Sequence, residues 1–410
     1  MSLFGGLIAV KGVTFLLFCV LAIAVVGYAL GRVSVKGVNL GTAGVFIIAL
    51  LFGCFFFEPL KAQLMVSGES GEAVSYVDNA LKVIESLGLI LFVTSVGFIA
   101  GPKFFGNMKK NFKSYILLGV LIIVAGGISA IGCIYLGRAL GETNYAEFTA
   151  MIVGLLSGSL TSTPAFSAAK DTVAPEYVNA VAVGHGIAYL FGVVGVVLFV
   201  QLIPKLTKAN MEEERAKLTQ IDDGATEKKE VGKLIELDGF GFAAFSLAAI
   251  VGIFVGMIKF GPTFSLTTTG GCLLVALVFG HFGRIGKVSL MPQEGTLKVF
   301  RELGLMLFLV GAGIPGGAEF IENFDAMYFV YGIIMTLVPL VIGYLFAKYV
   351  LKLSLLNNLG SITGGMTSTP ALGTLIGTAG TEDVAAAYAA TYPIALIAVV
   401  LVSQFLIILL

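Results

Sequence analysis

The sequence predicts an all-α polytopic membrane protein made of two inverted repeats, and three observations support this prediction. Hydrophobic residues make up 57% of the 410 residues and charged residues only 12%, whereas a soluble domain carries roughly 25% charged residues. Apolar runs of membrane-spanning length recur along the chain. Motifs of the first half also return in the second half, in the same order. Each repeat is expected to contain five transmembrane helices and one re-entrant hairpin broken by Pro and Gly.

The predicted spans divide the chain into two repeats. The first apolar run has the length of a retained transmembrane helix, and further runs of the same kind follow it. The predicted spans lie near 13–30, 40–57, 83–100, 114–136, 176–203, 239–258, 266–281, 302–315, 327–350 and 383–410. A charged stretch interrupts this series and is expected to be a cytoplasmic linker. The predicted divisions are a first repeat at 1–204, the linker at 205–238 and a second repeat at 239–410.

Composition also excludes several functions. The net charge of zero leaves no electrostatic footprint for nucleic acid. The four cysteines lie in apolar runs without metal-ligand spacing, so they are expected to be buried free thiols. No predicted span contains paired aspartates, a Ser–His arrangement or an HExxH motif, so a membrane protease is unsupported. Two histidines, His185 and His281, do not suffice for a bis-His haem or a metal cluster.

Three segments of the first half recur in the second. The matches are SGSLTSTPAF (157–166) with TGGMTSTPAL (363–372), LGLILFVTSVGFIAGPKFF (87–105) with LGLMLFLVGAGIPGGAEFI (303–321), and ALLFG (49–53) with ALVFG (276–280). A shared apolar composition would explain the common Leu and Phe residues but not the common TSTPA. We therefore interpret the chain as an internal duplication.

Loop charges predict that the two repeats have opposite orientations. The loop 101–113 is rich in lysine, whereas its counterpart 315–325 is acidic and contains no Lys or Arg. The preceding loops show the reverse: 58–82 is mainly acidic, and 282–301 carries four basic residues. Because basic loops stay in the cytoplasm, equivalent loops are expected on opposite sides.

Inversion requires an odd number of crossings in each half. This condition is met if the segments 148–166 and 355–373 enter the membrane and return on the same side. The amino terminus is then outside, the linker inside and the carboxyl terminus outside. Arg138 and Lys170 fall on the outer side, against the charge rule.

The two TSTP segments form the predicted binding site. Proline removes a backbone donor, and the freed groups are tolerated in a membrane only where protein buries them or water reaches them. Matching breaks in two inverted halves are typical of a midplane site, where helix ends offer amides to an anion such as a carboxylate. The alternative is that these are Pro kinks whose hydroxyls bond back to their own helix. The candidate substrate-binding residues are Gly158, Thr161, Ser162, Thr163, Pro164, Gly364, Gly365, Thr367, Ser368, Thr369, Pro370, His185 and Tyr392.

Two further candidates depend on position alone. His185 lies mid-span, where we align it with Tyr392, and it is either a proton carrier, a substrate donor or a residue bonded to a neighbouring helix. Lys170 and Asp171 follow the first TSTP segment and match Ile376 and Gly377. They form either a cationic contact for a carboxylate or a solvated hairpin end. No Asp, Glu, Lys or Arg occupies the middle of a predicted span, which favours exchange, or coupling to a cation held by carbonyls and hydroxyls, over proton coupling.

The TSTP segments, together with VGFIAGPKFF, resemble the bacterial aspartate:alanine exchanger family of antiporters. The resemblance covers 13–203 and 239–410, and its motif residues correspond to Thr161–Pro164 and Thr367–Pro370. It implies a homodimer in the bacterial inner membrane that exchanges amino acids or dicarboxylates such as aspartate, alanine or succinate. Many members carry soluble regulatory domains between the halves, and the linker 205–238 is too short for even one.

The expected function is therefore exchange of small carboxylates by a secondary active transporter, not an enzyme. No cofactor is expected, although Na⁺ is a candidate coupling ion. The alternative is a sodium-coupled symporter of acidic amino acids or dicarboxylates. A channel would favour a continuous pore lining over two broken hairpins.

Overall fold

The computed structural model describes residues 2–3, 8–9, 11–32, 34–35, 38–39, 43–67, 73–219, 234–259, 267–323 and 325–410. The helices are α1 (Gly12–Gly31), α2 (Ala43–Gln63), α3 (Val77–Ala139), α4 (Tyr145–Ser159), α5 (Thr163–Thr172), α6 (Val178–Leu206), α7 (Met211–Thr219), α8 (Phe242–Met257), α9 (Thr267–Phe282), α10 (Glu294–Asn323), α11 (Ala326–Tyr349), α12 (Leu355–Gly365), α13 (Thr369–Ala379) and α14 (Val384–Leu409). The described residues also form a short 3-10 helix (Pro175–Tyr177) and four antiparallel two-stranded ribbons: β1–β2 (Ser2–Leu3, Ile8–Ala9), β3–β4 (Ser34–Val35, Val38–Asn39), β5–β6 (Met65–Ser67, Ala73–Ser75) and β7–β8 (Arg284–Ile285, Val288–Ser289).

The helical content confirms an all-α polytopic membrane protein. Within the described ranges, seven helical segments are long and apolar enough to cross a membrane. They are Gly12–Gly31, Gly44–Gln63, Val77–Pro102, Asn111–Ala139, Pro175–Leu206, Ala326–Tyr349 and Val384–Leu409. Three predicted spans are not among them. Those near 239–258 and 266–281 are the apolar helices α8 and α9, of 16 residues each. The span near 302–315 lies inside α10, which carries charged residues in its first turn and towards its end.

Two predicted loops are helical. The lysine-rich segment 101–113 continues α3, and most of the acidic segment 315–325 continues α10. The charge clusters predict loops there, but charged side chains cost a helix little in intrinsic propensity, so the helices continue through them. Pro102 and Pro315 both lie inside their helices. The side chains at 103–110, 319 and 321–324 lie outside the described residues, so their charges have no described contacts.

The linker contains one helix, α7, in the part that the structure describes. The remaining linker residues, 220–233, lie outside the described residues. Beyond them, Ile235 forms a bridge with Val288 of the β7–β8 ribbon. The carboxylate of Asp238 then accepts hydrogen bonds from the amides of Phe240, Gly241, Phe242 and Ala243. The chain therefore enters α8 through a side chain that pairs the free amides at the helix start.

The chain forms two compact units that do not follow the order of the sequence halves. The first unit comprises Met1–Leu91 and Glu302–Asn323, and the second comprises Phe92–Arg301 and Phe324–Leu410. In the first unit α1 packs on α2, and the end of α10 packs on α2 so closely that a Cβ atom added at Gly53 would lie 2.0 Å from the Ile314 carbonyl oxygen. In the second unit α8 packs on α9, α4 on α6 and α12 on α14.

Matched residues make matched contacts inside the two units. Gly53 lies against Ile314 in the first unit, and its sequence counterpart Gly280 lies against Phe98, the counterpart of Ile314, in the second. A glycine on an apolar helix of each repeat thus packs onto the same position of the long helix of the other repeat. The four cysteines are free thiols, as expected; Cys19, Cys133 and Cys272 are buried and Cys54 is half-buried.

Candidate functional site

Each TSTP segment separates two short helices. The first break, 160–162, joins α4 to α5, and the second break, 366–368, joins α12 to α13. Thr161 and Thr367 both have a φ of 50°, in the left-handed region that few non-glycine residues adopt. The serine that follows each threonine is extended, and the proline lies in the first turn of the next helix, where a missing N–H costs little. Proline here starts a new helix and does not kink a continuous one.

The two breaks contact each other through reciprocal hydrogen bonds. The Thr161 hydroxyl donates to the Met366 carbonyl at 3.3 Å, and the Thr367 hydroxyl donates to the Leu160 carbonyl at 2.6 Å. Leu160 precedes Thr161 as Met366 precedes Thr367, so each bond is the counterpart of the other. Such reciprocity is what a local two-fold axis between equivalent segments produces. In both cases the threonine hydroxyl bonds to the other segment and not to its own helix.

The serines of the two motifs differ in their partners. The Ser162 hydroxyl accepts a hydrogen bond from the Ala165 amide at 3.3 Å and thereby caps α5. Ser368 makes no such cap at the start of α13, and its fully buried hydroxyl has no hydrogen-bond partner within the described part of the chain. An unpaired buried hydroxyl is costly, so its presence at a helix N-terminus marks a place where a ligand oxygen would gain a partner.

Aromatic pairs on α6 and α14 flank the breaks. On α6, Nδ1 of His185 lies 2.8 Å from the Ser157 hydroxyl, while its ring stacks on Phe166 at 4.4 Å and lies 5.5 Å from the Tyr189 ring. On α14, the buried Tyr388 stacks on Tyr392 with ring centroids 5.2 Å apart.

The packing corrects the predicted match of His185 with Tyr392. Gly158 of α4 approaches the His185 carbonyl, whereas its counterpart Gly364 of α12 approaches the Tyr388 carbonyl. His185 therefore corresponds to Tyr388. The predicted match is four residues, about one helical turn, out of register. Each helix also carries a second aromatic residue four positions later, and this shared spacing is the signal that would have identified Tyr189 and Tyr388.

Tyr388 joins the second break directly. Its hydroxyl lies 3.3 Å from the Thr369 hydroxyl, and both residues are buried. Thr163, the counterpart of Thr369, is exposed. The two halves of the site therefore differ: one presents an open threonine beside His185, and the other a threonine paired with tyrosine.

Several predicted residues serve packing. Added Cβ atoms would lie 2.3 Å from the His185 carbonyl at Gly158, 2.6 Å from the Tyr388 carbonyl at Gly364, and 2.5 Å from Ile122 at Gly365. Lys170 is half-buried, with its ammonium 4.9 Å from the centre of the Phe166 ring. The side chain of Asp171 lies outside the described residues. Among the described residues, no group of three His, Cys, Asp or Glu side chains is placed to hold a metal ion.

One linker helix holds both ends of the second helix pair. Glu214 of α7 accepts a hydrogen bond from the Leu355 amide at the start of α12, at 2.9 Å. The adjacent Arg215 donates to the Ala379 carbonyl at the end of α13, also at 2.9 Å. An acidic residue at a helix N-terminus and a basic residue at a C-terminus both complement the helix dipoles.

Known relatives of this chain are transporters by name. An uncharacterized transporter of Bacteroides fragilis is 24% identical over 547 positions, covering 94% of this chain and 97% of the relative. One from Rhodopirellula baltica is 25% identical over 559 positions, covering 95% and 98%. A putative transport protein of Edwardsiella ictaluri is 23% identical over 544 positions, covering 91% and 95%. These alignments are longer than the 410 residues of this chain, so the relatives carry segments that it lacks.

A family model described as a predicted permease membrane region (Asp-Al_Ex) matches residues 18–205 and 244–408. The matched segments make up most of the chain and include both helix breaks. The chain therefore belongs to the Asp-Al_Ex permease family and is a membrane transporter, as its resemblance to the aspartate:alanine exchangers led us to expect.

Proposed function

We propose that this protein is a secondary active antiporter that exchanges small carboxylates, of the aspartate:alanine type, across the bacterial inner membrane. The observation that carries the proposal is the junction of the two TSTP breaks, where Thr161 and Thr367 each bond to the opposite segment. Two helix N-termini begin at this junction, and each adds partial positive charge. A carboxylate is the ligand that suits such a group of helix starts and hydroxyls.

The second break supplies the more specific hydrogen-bonding groups of the proposed site. The Ser368 hydroxyl is buried without a partner in the described residues, and the Thr369 hydroxyl is shared with Tyr388. A bound carboxylate would accept a hydrogen bond from Ser368 and offset the cost of its burial. The first break would present Thr163 and the ring of His185 to the other end of the substrate.

The contacts of α7 support a re-entrant second helix pair. Glu214 and Arg215 are consecutive, and they bond to the first amide of α12 and the last carbonyl of α13. Each of these helices has 11 residues and extends about 16 Å. A segment that continued across the membrane would place its ends about twice that distance apart, so contacts to two neighbouring residues favour entry and return on the side of the linker.

The directions of α6 and α14 support inversion. α6 leads from the first helix pair to the linker, whereas α14 starts just after the second helix pair, which α7 holds. At the far end of α14, the Leu410 carbonyl accepts a hydrogen bond from Arg138, which also bonds to Thr149 in the second turn of α4. The equivalent helices α6 and α14 would thus cross in opposite directions, as inverted repeats require.

The chemical groups that contact the junction of the two breaks favour exchange over proton coupling. The residues contacting the breaks carry hydroxyls, carbonyls and aromatic rings, and the ring of His185 packs against those of Phe166 and Tyr189. A sodium-coupled symporter is the alternative, because carbonyl and hydroxyl oxygens at the junction are ligands suited to a hard cation.

Transport by purified protein in liposomes tests the proposal. Vesicles loaded with aspartate, alanine or succinate should take up labelled aspartate, and empty vesicles should not, with or without sodium. Accumulation into empty vesicles that depends on a sodium gradient would replace exchange by symport. Uptake that needs neither internal substrate nor an ion gradient, accompanied by unitary currents, would indicate a channel.

A further inference from the structure

A polar cavity lies at the end of α12 opposite the helix breaks. It has a volume of about 870 Å³ and opens where α6 and α11 end and where α7 and α12 begin. Because α12 has 11 residues, about 16 Å separates this cavity from the second break. We propose that the cavity is an entry vestibule that attracts and transiently binds acidic amino acids before they reach the breaks. This inference rests on the proposed function.

The wall of the vestibule is positively charged. It is lined by four lysines, Lys208, Lys217, Lys348 and Lys352, and by two glutamates, Glu213 and Glu214. Lys217 forms a salt bridge with Glu214, and Lys348 lies over the rings of Tyr344 and Tyr349. Lys208 and Lys352 have no carboxylate partner within the described ranges. A cleft lined by one sign of charge concentrates ligands of the opposite sign and speeds their arrival.

The backbone at the two unpaired lysines is unusual. Lys208 and Lys352 follow the ends of α6 and α11 with φ values of 50° and 53°. Glycine adopts this left-handed conformation at the least cost and commonly ends helices there. A lysine at both positions gives up that advantage and places a cation in the same cavity. A cation also complements the negative end of each helix.

Two buried oxygens in the wall indicate that a ligand needs a hydrogen-bond donor as well as a negative charge. Asn358 is 1% exposed; its amide donates to the Tyr344 carbonyl at 3.2 Å, while its Oδ1 has no partner in the described residues. The neighbouring Ser354 hydroxyl is likewise buried and unpartnered there. The carbonyl oxygen Oδ1 can only accept, so it requires a ligand that donates. An α-ammonium group suits Asn358 while carboxylates suit the lysines, and an acidic amino acid carries both.

Charge selectivity can be measured without any transport. In a full-length chain whose four native cysteines are replaced, Leu353→Cys places a thiol in the cavity wall. A negatively charged methanethiosulfonate should modify this thiol about tenfold faster than a positively charged one. Lys208→Gln combined with Lys352→Gln should bring the two rates together. Lys205→Gln, on the last turn of α6 but outside the cavity lining, should leave the ratio unchanged.

The variants Lys208→Gly and Lys352→Gly separate the effect of the lysine charge from that of the left-handed backbone conformation. They relieve the left-handed conformation, so their melting temperature should be unchanged or higher, yet they should lose the preference for the anionic reagent. Equal rates for both reagents in the parent protein, or a preference that survives removal of both lysines, would overturn the vestibule.

Ligand protection tests the chemical class. Aspartate should slow modification of the thiol, and the concentration for half-protection should rise at least tenfold in Asn358→Leu. Succinate lacks the ammonium group, so its protection should be weaker and insensitive to Asn358→Leu. Equal protection by both ligands in both proteins would overturn the assignment of Asn358. If anionic selectivity persists while liposomes show no carboxylate exchange, the proposed function fails and the anion-attracting cavity remains.

Discussion

At the scale of single residues, the two serines of the TSTP motifs have the same sequence context but different contacts. Ser162 caps α5, whereas Ser368 is fully buried without a partner in the described residues. Ser162→Ala should therefore lower stability by about 1 kcal/mol, the usual cost of losing an N-cap. Ser368→Ala should leave the melting temperature unchanged or raise it.

The same pair of variants separates structure from binding. If Ser368 donates to a substrate carboxylate, its loss should weaken binding about 10-fold to 100-fold, because such a bond contributes about 1.5–3 kcal/mol. The measurement is thermal unfolding of each purified variant over a range of aspartate concentrations. Unaltered affinity in Ser368→Ala, with Ser162→Ala destabilised as expected, would remove Ser368 from the site.

The threonines that follow the serines provide a second residue-scale test. Thr163→Val and Thr369→Val keep the β-branched shape but remove the hydroxyl, and we expect substrate affinity to fall about 10-fold to over 100-fold. Thr369→Val also breaks the bond to Tyr388, so Tyr388→Phe is its control for the lost pair alone. Equal binding by both valine variants and the parent would reduce the motif to a structural break.

At the scale of elements, α7 should hold the second helix pair by its ends. Arg215→Gln removes the donor to the Ala379 carbonyl and a cation from the negative end of α13. We expect faster amide hydrogen exchange in the last turn of α13. We also expect slower transport of substrate in liposomes. Glu212→Gln, an exposed change on the same helix, is the control. Protection of α13 that is the same in both variants would show that α7 does not hold it.

The start of α8 should be sensitive to acid. Four backbone amides donate to Asp238, and these hydrogen bonds hold the pKa of its carboxyl below the ordinary value. The ionised form is therefore favoured in the folded protein. Its contribution to stability is fully present above the ordinary carboxyl pKa and is lost as the pH falls through the lowered value. Thermal unfolding against pH should show this loss in the parent and not in Asp238→Ala; identical profiles would assign no role to the cap.

The elements also show where sequence reasoning succeeded and failed. Apolar runs predict all seven helical segments that are long and apolar enough to span among the described residues, because hydropathy sums properties of single residues. The charges of 101–113 and 315–325 predict loops, and this prediction is wrong: α3 continues through 101–113 and α10 continues to Asn323. Both TSTP segments are breaks, as predicted. Proline alone does not mark a break, since Pro102 and Pro315 lie inside helices; the motif repeated in both halves distinguishes Pro164 and Pro370.

At the scale of the whole molecule, the proposed inverted topology requires the two helix pairs to open to opposite sides of the membrane. Single cysteines at Thr143 and Glu176 flank the first pair and should react with an impermeant thiol reagent from outside. Cysteines at Lys352 and Thr381 flank the second pair and should react only from inside, together with Glu212→Cys on α7. Labelling of both pairs from the same side would refute inversion, and labelling of the two flanks of one pair from opposite sides would refute re-entrance.

The sequence by itself determined that this chain is a membrane transporter with two motif-bearing halves. The membrane location follows from composition, and the duplication follows from identical residues in distant segments. Neither inference depends on where the side chains lie. Only the tertiary structure decided that Thr161 and Thr367 bond to each other's segments, that Ser368 lacks the partner that Ser162 has, and that His185 corresponds to Tyr388. Those relations join residues far apart in the chain, and they depend on how helices pack, which no local pattern of residues encodes.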